Sequence, residues 1–149
     1  ASSSVAPNAV VDQPTLDGLA VADLPSLLKE GTIDGGVNVY FVRTIAPTGL
    51  QGLVGGTPGT PGIPGTRASG IVLAADTLCY RDWETMARLT AHELGRYAGL
   101  FRNREPDGAT DPIEDSDDSA SNLMFFSEFG GTVLSEGQQQ VLARFPGLR

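Results

Sequence analysis

Residues 89–105 read LTAHELGRYAGLFRNRE, and the spacing inside this stretch decides how the rest of the chain is read. Arg96 follows His92 by four positions, Gly99 by seven and Arg102 by ten, with Glu93 directly beside the histidine. On an α-helix, positions four apart lie one above the other, so His92 and Arg96 share a face. Glycine accepts the left-handed turn that closes a helix, so Gly99 marks a stop, and Arg102 lies beyond the turn.

These are the offsets of the pattern HExxHxxGxxH. In its intact form two histidines one turn apart and a third after the glycine converge on one zinc ion, and the glutamate polarises a zinc-bound water. Here arginine stands at two of the three ligand offsets. A guanidinium stays protonated and offers only donors, so Arg96 and Arg102 do not ligate a cation. His92 is the only histidine in the chain, so the tripod is reduced to one ligand and no catalytic zinc is expected.

Around the motif the pattern is mixed α/β (α+β). A polar lead over residues 1–15 precedes one domain over 16–149, the length of an ordinary single domain. Leu16, Leu19, Val21, Leu24, Leu27 and Leu28 predict a helix within 16–30. Val37 to Ile45 (VNVYFVRTI) reads as a strand whose imperfect alternation predicts burial on both faces. Pro47 to Gly70, punctuated by Gly and Pro, reads as one long loop, either plain surface or a substrate-facing rim.

Ile71 to Ala75 predicts a second strand. Asp82 is a candidate N-cap for a helix from about Trp83 to Tyr97, whose buried stripe is traced by Trp83, Met86, Thr90, Leu94, Tyr97 and Phe101. Ser135-Glu136-Gly137-Gln138 opens a final short helix that ends before Pro146.

Composition excludes several classes of function. Eighteen acidic residues against ten basic ones leave a net charge of −8, which opposes a nucleic-acid partner. No apolar run approaches the roughly 18 residues of a membrane span. Cys79 is the single cysteine; it rules out an internal disulfide or a Cys-based zinc site and reads as a buried core thiol. The start, Ala1-Ser2-Ser3-Ser4, carries neither the basic nor the apolar region of a secretion signal and looks like the trimmed end of a longer product. With one histidine and no GxSxG turn, serine or thiol hydrolysis is not supported.

The motif helix, the Gly99 turn and Ser121-Asn122-Leu123-Met124-Phe125, about twenty residues beyond Arg102, together resemble the metzincin zinc peptidases, in particular bacterial secreted matrixin-like or pappalysin-like ones. The resemblance implies a twisted sheet, an active-site helix, a C-terminal helix and a Met-turn at Asn122 and Met124, with Met124 packed beneath His92. It further implies that Glu93 is the catalytic glutamate, His92 the residual metal ligand, and the second strand the rim that holds an extended peptide or protein substrate. It implies secretion or another extracytoplasmic location. Zinc is the family's cofactor, and the arginines predict its absence here.

Each of these readings has a plainer competitor. A His-Glu pair on a helix is a common coincidence, and His92 would then be an ordinary partly buried histidine; what distinguishes this one is that Gly99, the acidic loop and Asn122-Leu123-Met124 all fall in register. Arg96 and Arg102 form either a solvated basic face or an ion-pair cluster with Glu93, three positions before Arg96. The segment 105–118 holds seven acids in fourteen residues. Asp107, Asp111 and Asp115 are candidate calcium ligands, and a solvated acidic loop is the alternative.

The functional expectation is a metzincin-like domain that is catalytically impaired, a pseudopeptidase with a peptide cleft. One alternative is an active zinc endopeptidase using His92 plus carboxylates such as Asp111 or Asp115. Another is a structural module of a longer exported protein.

Overall fold

In the computed structural model the described residues are 18–30, 36–47, 49–63, 65–105, 107–113 and 118–148. The lead over 1–15, and Leu16 with it, lies outside them.

A short strand β1 (Leu19–Ala20) runs through a single 3-10 turn into helix α1 (Leu24–Lys29), where Pro25 sits in the first turn. There its missing N–H costs nothing. The predicted first helix is therefore only its C-terminal part: Leu19 belongs to a strand that pairs in parallel with Ile45 and Ala46. Strand β2 (Asn38–Val42) and strand β3 (Ile45–Ala46) divide the single strand expected over Val37 to Ile45. Strand β4 (Gly52–Val54) and strand β5 (Gly70–Ala74) follow.

The main sheet has the order β2-β5-β4, with β2 parallel and β4 antiparallel to β5. All five residues of β5 are buried, as befits a central strand. Its alternate side chains serve opposite faces. Val72 and Ala74 join Leu24, Leu28, Val42 and Ile45 on the α1 side, whereas Ile71 meets Tyr97, Ala98 and Phe145 on the other. The architecture is thus mixed α/β, with helices covering both faces of a small sheet.

Two strand expectations need correction. β2 is an outer strand, and the helix behind the sheet packs on β4 and β5, which leaves Val39 and Phe41 exposed where burial on both faces was predicted. The stretch from Pro47 to Gly70 is not a continuous loop either. Gly52, Leu53 and Val54 pair with Leu73, Val72 and Ile71, so a partner strand stabilises an extended segment that local composition disfavours.

After a 3-10 turn over Ala75–Cys79, Asp82 caps helix α2 (Trp83–Tyr97). Its Oδ1 accepts from the Thr85 N–H at 2.9 Å and from Thr85 Oγ1 at 2.8 Å. The helix ends in a Schellman closure: Leu100 N–H bonds to Gly95 O and Gly99 N–H to Arg96 O, both at 3.0 Å, with Gly99 at φ 103°. Helix α3 (Glu136–Arg144) begins with a reciprocal capping box between Ser135 and Gln138.

The buried face of α2 differs from the predicted stripe. Met86 and Tyr97 are buried as predicted, but Trp83 is 73% exposed and Leu94 and Phe101 are also surface residues, and the inward face is completed by Arg88, Leu89, His92 and Glu93. The inward face carries polar and charged groups, which an apolar pattern does not trace. Cys79 is exposed, against the expected core placement; the apolar run that suggested burial is β5, and Cys79 lies past its end on the 3-10 turn. Among the described residues no helix is long and apolar enough to cross a membrane.

Candidate functional site

His92 and Glu93 stand in the middle of α2, each 4% exposed, with Arg96 one turn on and Arg102 beyond the Gly99 closure. Beneath them runs the turn formed by Asn122, Leu123 and Met124. Asn122 Oδ1 accepts from Met124 N–H at 2.8 Å, and its Nδ2 donates to Gln138 Oε1 at 3.0 Å, which ties the turn to the capping box of α3.

Met124 is fully buried, and its Sδ lies against Gly95: a Cβ built on that glycine would stand 2.9 Å from the sulfur. The turn meets the histidine through its backbone, Leu123 O lying 2.8 Å from His92 Nδ1. A carbonyl only accepts, so Nδ1 carries the proton and the neutral ring leaves Nε2 as an open acceptor.

The ring is held neutral. Its pKa is lowered from 6.5 to about 4, first by burial and then by the charges of Arg88, Arg102 and Arg96, against the favourable Leu123 contact. Glu93 is pushed the other way, its carboxyl raised chiefly by burial, with Arg96 and Arg102 drawing it back in part. Gly52 makes that burial possible, since a Cβ there would lie 2.8 Å from Glu93 Cγ. Side chain and strand β4 are therefore in direct contact.

Of the two readings of the arginines, the ion-pair cluster with Glu93 is not formed among the described residues. Arg102 Nη1 donates instead to Glu105 Oε2 at 2.9 Å. Arg96 has no ion-pair partner among the described residues, and its Nε is buried without an acceptor, as is Arg102 Nε. Glu93 turns toward β4, and its Oε2 lacks a hydrogen-bond partner.

A cavity of about 100 Å³ opens at this point. Arg88, His92, Glu93 and Arg102 line it, with Gly49–Gly52 along one side and Phe125–Glu128 along the other. Arg88 and Glu128 are contributions that the motif did not reveal. Arg88 stands four positions before His92, so the i, i+4 rule that placed Arg96 places it too. Its Nε and one terminal nitrogen donate to Gly130 O and Ser127 O, while Nη1 is buried without a partner. Glu128 accepts from Arg81 and from Gln51, joining the two sides of the cavity. No local signal in the sequence marks it.

A larger cavity of about 280 Å³ lies elsewhere on α2, bordered by Leu94, Ala98, Leu100, Leu142 and Phe145. Its lining holds no charged group, so the chemistry belongs to the smaller one.

The donor set does not suit zinc: one imidazole nitrogen faces guanidinium groups, which repel a cation and supply no lone pair. Among the described residues no group of three or more His, Cys, Asp or Glu side chains is placed to hold a metal ion. Of the calcium candidates, Asp107 and Asp111 each accept a backbone N–H two residues on, from Ala109 and Ile113 respectively. Asp115 lies outside the described residues.

No protein-family model, no curated protein and no solved structure matches this chain.

Proposed function

We propose that this chain is a metzincin-like peptidase domain whose metal site has been converted by arginine, a pseudopeptidase that keeps a peptide-binding cleft. The observation that carries the reading is the union of motif helix and turn: His92, on α2, bonds through Nδ1 to Leu123 O, inside the Asn122–Met124 turn. That contact leaves Nε2 as the nitrogen turned to other chemistry, the orientation a zinc-binding histidine needs.

The sheet supports the same reading. The antiparallel outer strand is β4, and it passes against Glu93, so the rim role that the resemblance gave to the second strand is assigned to β4 instead. Impairment follows from residue chemistry, because neither guanidinium replaces an imidazole. An extracytoplasmic setting is part of the proposal through the resemblance alone. Nothing among the described residues favours an active zinc enzyme built on His92 and carboxylates, and calcium forms no part of the proposal.

The experiment compares zinc stoichiometry and cleavage of a general protein substrate for the natural chain, Arg96→His, Arg102→His and the double variant. Zinc near one equivalent is expected only in the double variant, since a catalytic site takes three protein ligands and one water. Stoichiometric zinc with proteolysis in the natural chain overturns the impairment. A folded double variant that takes up no zinc overturns the metzincin-like geometry itself.

A further inference from the structure

The groups around the cavity do not suit a cation, yet they leave specific needs unmet. Arg88 and Arg102 line it, and Arg96 adds its charge to theirs at the His92 ring. In a chain of net charge −8 the lining thus sets two guanidinium groups beside the carboxylates of Glu93 and Glu128. Of the acids nearby, Glu128 is taken by Arg81 and Gln51, and Glu105 by Arg102.

Arg88 is 9% exposed, with Nη1 unpartnered, and Arg102 Nε is likewise buried without an acceptor. Buried charged donors left unpaired are costly, so an acceptor brought in from outside is favoured there. Beside them Glu93 Oε2 has no partner and calls for a donor. A simple anion meets the first need and leaves the second. A carboxylate flanked by an N–H meets both.

We infer that the cavity at Arg88, His92, Glu93 and Arg102 takes the C-terminal carboxylate of a peptide, the terminal amide N–H serving Glu93. Arg88 Nη1 and Arg102 Nε, the donors left without partners, offer one N–H to each of a carboxylate's two oxygens. β4 has no strand on its outer side among the described residues, and Gly52 brings it against Glu93, so a peptide that enters carboxylate-first has an edge to pair with behind the cavity. The peptide part of this inference rests on the cleft reading above. The carboxylate part rests only on the arginines.

The test uses the full chain and three probes: an alanine pentapeptide with a free C-terminus, the same peptide amidated, and acetate. The readouts are affinity and the NMR shifts of the His92 ring. The free acid is expected to bind about tenfold or more tighter than the amide, the size of one charge-assisted bond, and to move the His92 signals. Arg102→Gln, at a half-buried position, is expected to erase the preference, and Arg88→Lys to reduce it. Equal binding of acid and amide overturns the carboxylate site and leaves the peptide cleft standing. If acetate moves the His92 signals and neither peptide binds, the cleft fails and with it the peptide ligand. Absence of binding by all three probes overturns the inference outright.

Discussion

A buried imidazole that stays neutral makes His92 a pH-dependent element of stability. Unfolded, it takes a proton near 6.5; folded, only at about 4. Between these values the unfolded chain binds more protons, so stability falls as pH drops through the window. The full loss corresponds to about 3 kcal/mol. Glu93 acts in the opposite sense: with its pKa raised, its contribution is present in acid and is lost as pH climbs through the raised value. Urea unfolding from pH 7 to pH 4 is expected to show the acid limb in the natural chain and a flatter one in His92→Gln, which keeps a donor for Leu123 without titrating. Identical slopes would place the acid sensitivity elsewhere.

Residue spacing in the sequence reveals the alignment of His92, Glu93, Arg96 and Arg102, because a helix converts spacing into direction. It does not reveal that Arg102 bonds to Glu105 or that Glu93 turns toward Gly52, since both depend on a chain path beyond the helix. Arg88 is legible by the same i, i+4 rule, though it lies outside the motif.

Helix ends follow from local chemistry, and both long helices begin and end where the capping residues predict. Asp82, Gly99 and the pair Ser135 and Gln138 need only neighbours in sequence to act. β4 is the contrary case. Three residues in a stretch rich in Gly and Pro are extended only because Ile71, Val72 and Leu73 are paired to them, a condition invisible in the segment itself.

The same stretch is fastened to α2 at a second point. Gly59 N–H donates to Tyr97 O at 2.7 Å, and a Cβ at Gly59 would stand 2.0 Å from the buried Tyr97 ring. Tyr97 packs edge-on against Phe145, ring centroids 5.8 Å apart, so it has little room to retreat. Gly59→Ala is expected to cost about 1–3 kcal/mol, the usual range for overpacking. A melting temperature unchanged from the natural chain would mean that the loop yields instead of the ring.

Across the whole molecule, one carboxylate joins parts that are remote in sequence. Glu128 accepts from Gln51, 77 residues before it, and from Arg81, 47 residues before it. The first precedes β4, the second precedes α2, and Glu128 follows the Asn122–Met124 turn. Its pKa is lowered, chiefly by the Arg81 hydrogen bond, so the tie persists below the ordinary carboxylate range and is lost only as pH falls through the lowered value.

In hydrogen-exchange terms, such a tie merges what would be separate local openings into one. While Glu128 holds, the amides of 49–51 and 127–130 are expected to exchange together. Glu128→Gln keeps the shape and removes the charge. The amides of 49–51 should then exchange faster, whereas 127–130, still held by Arg88 at Ser127 and Gly130, should change little. Equal acceleration of both segments would show that they open as a unit for reasons of packing. With the tie intact, the two borders of the cavity are held to one another through a single side chain.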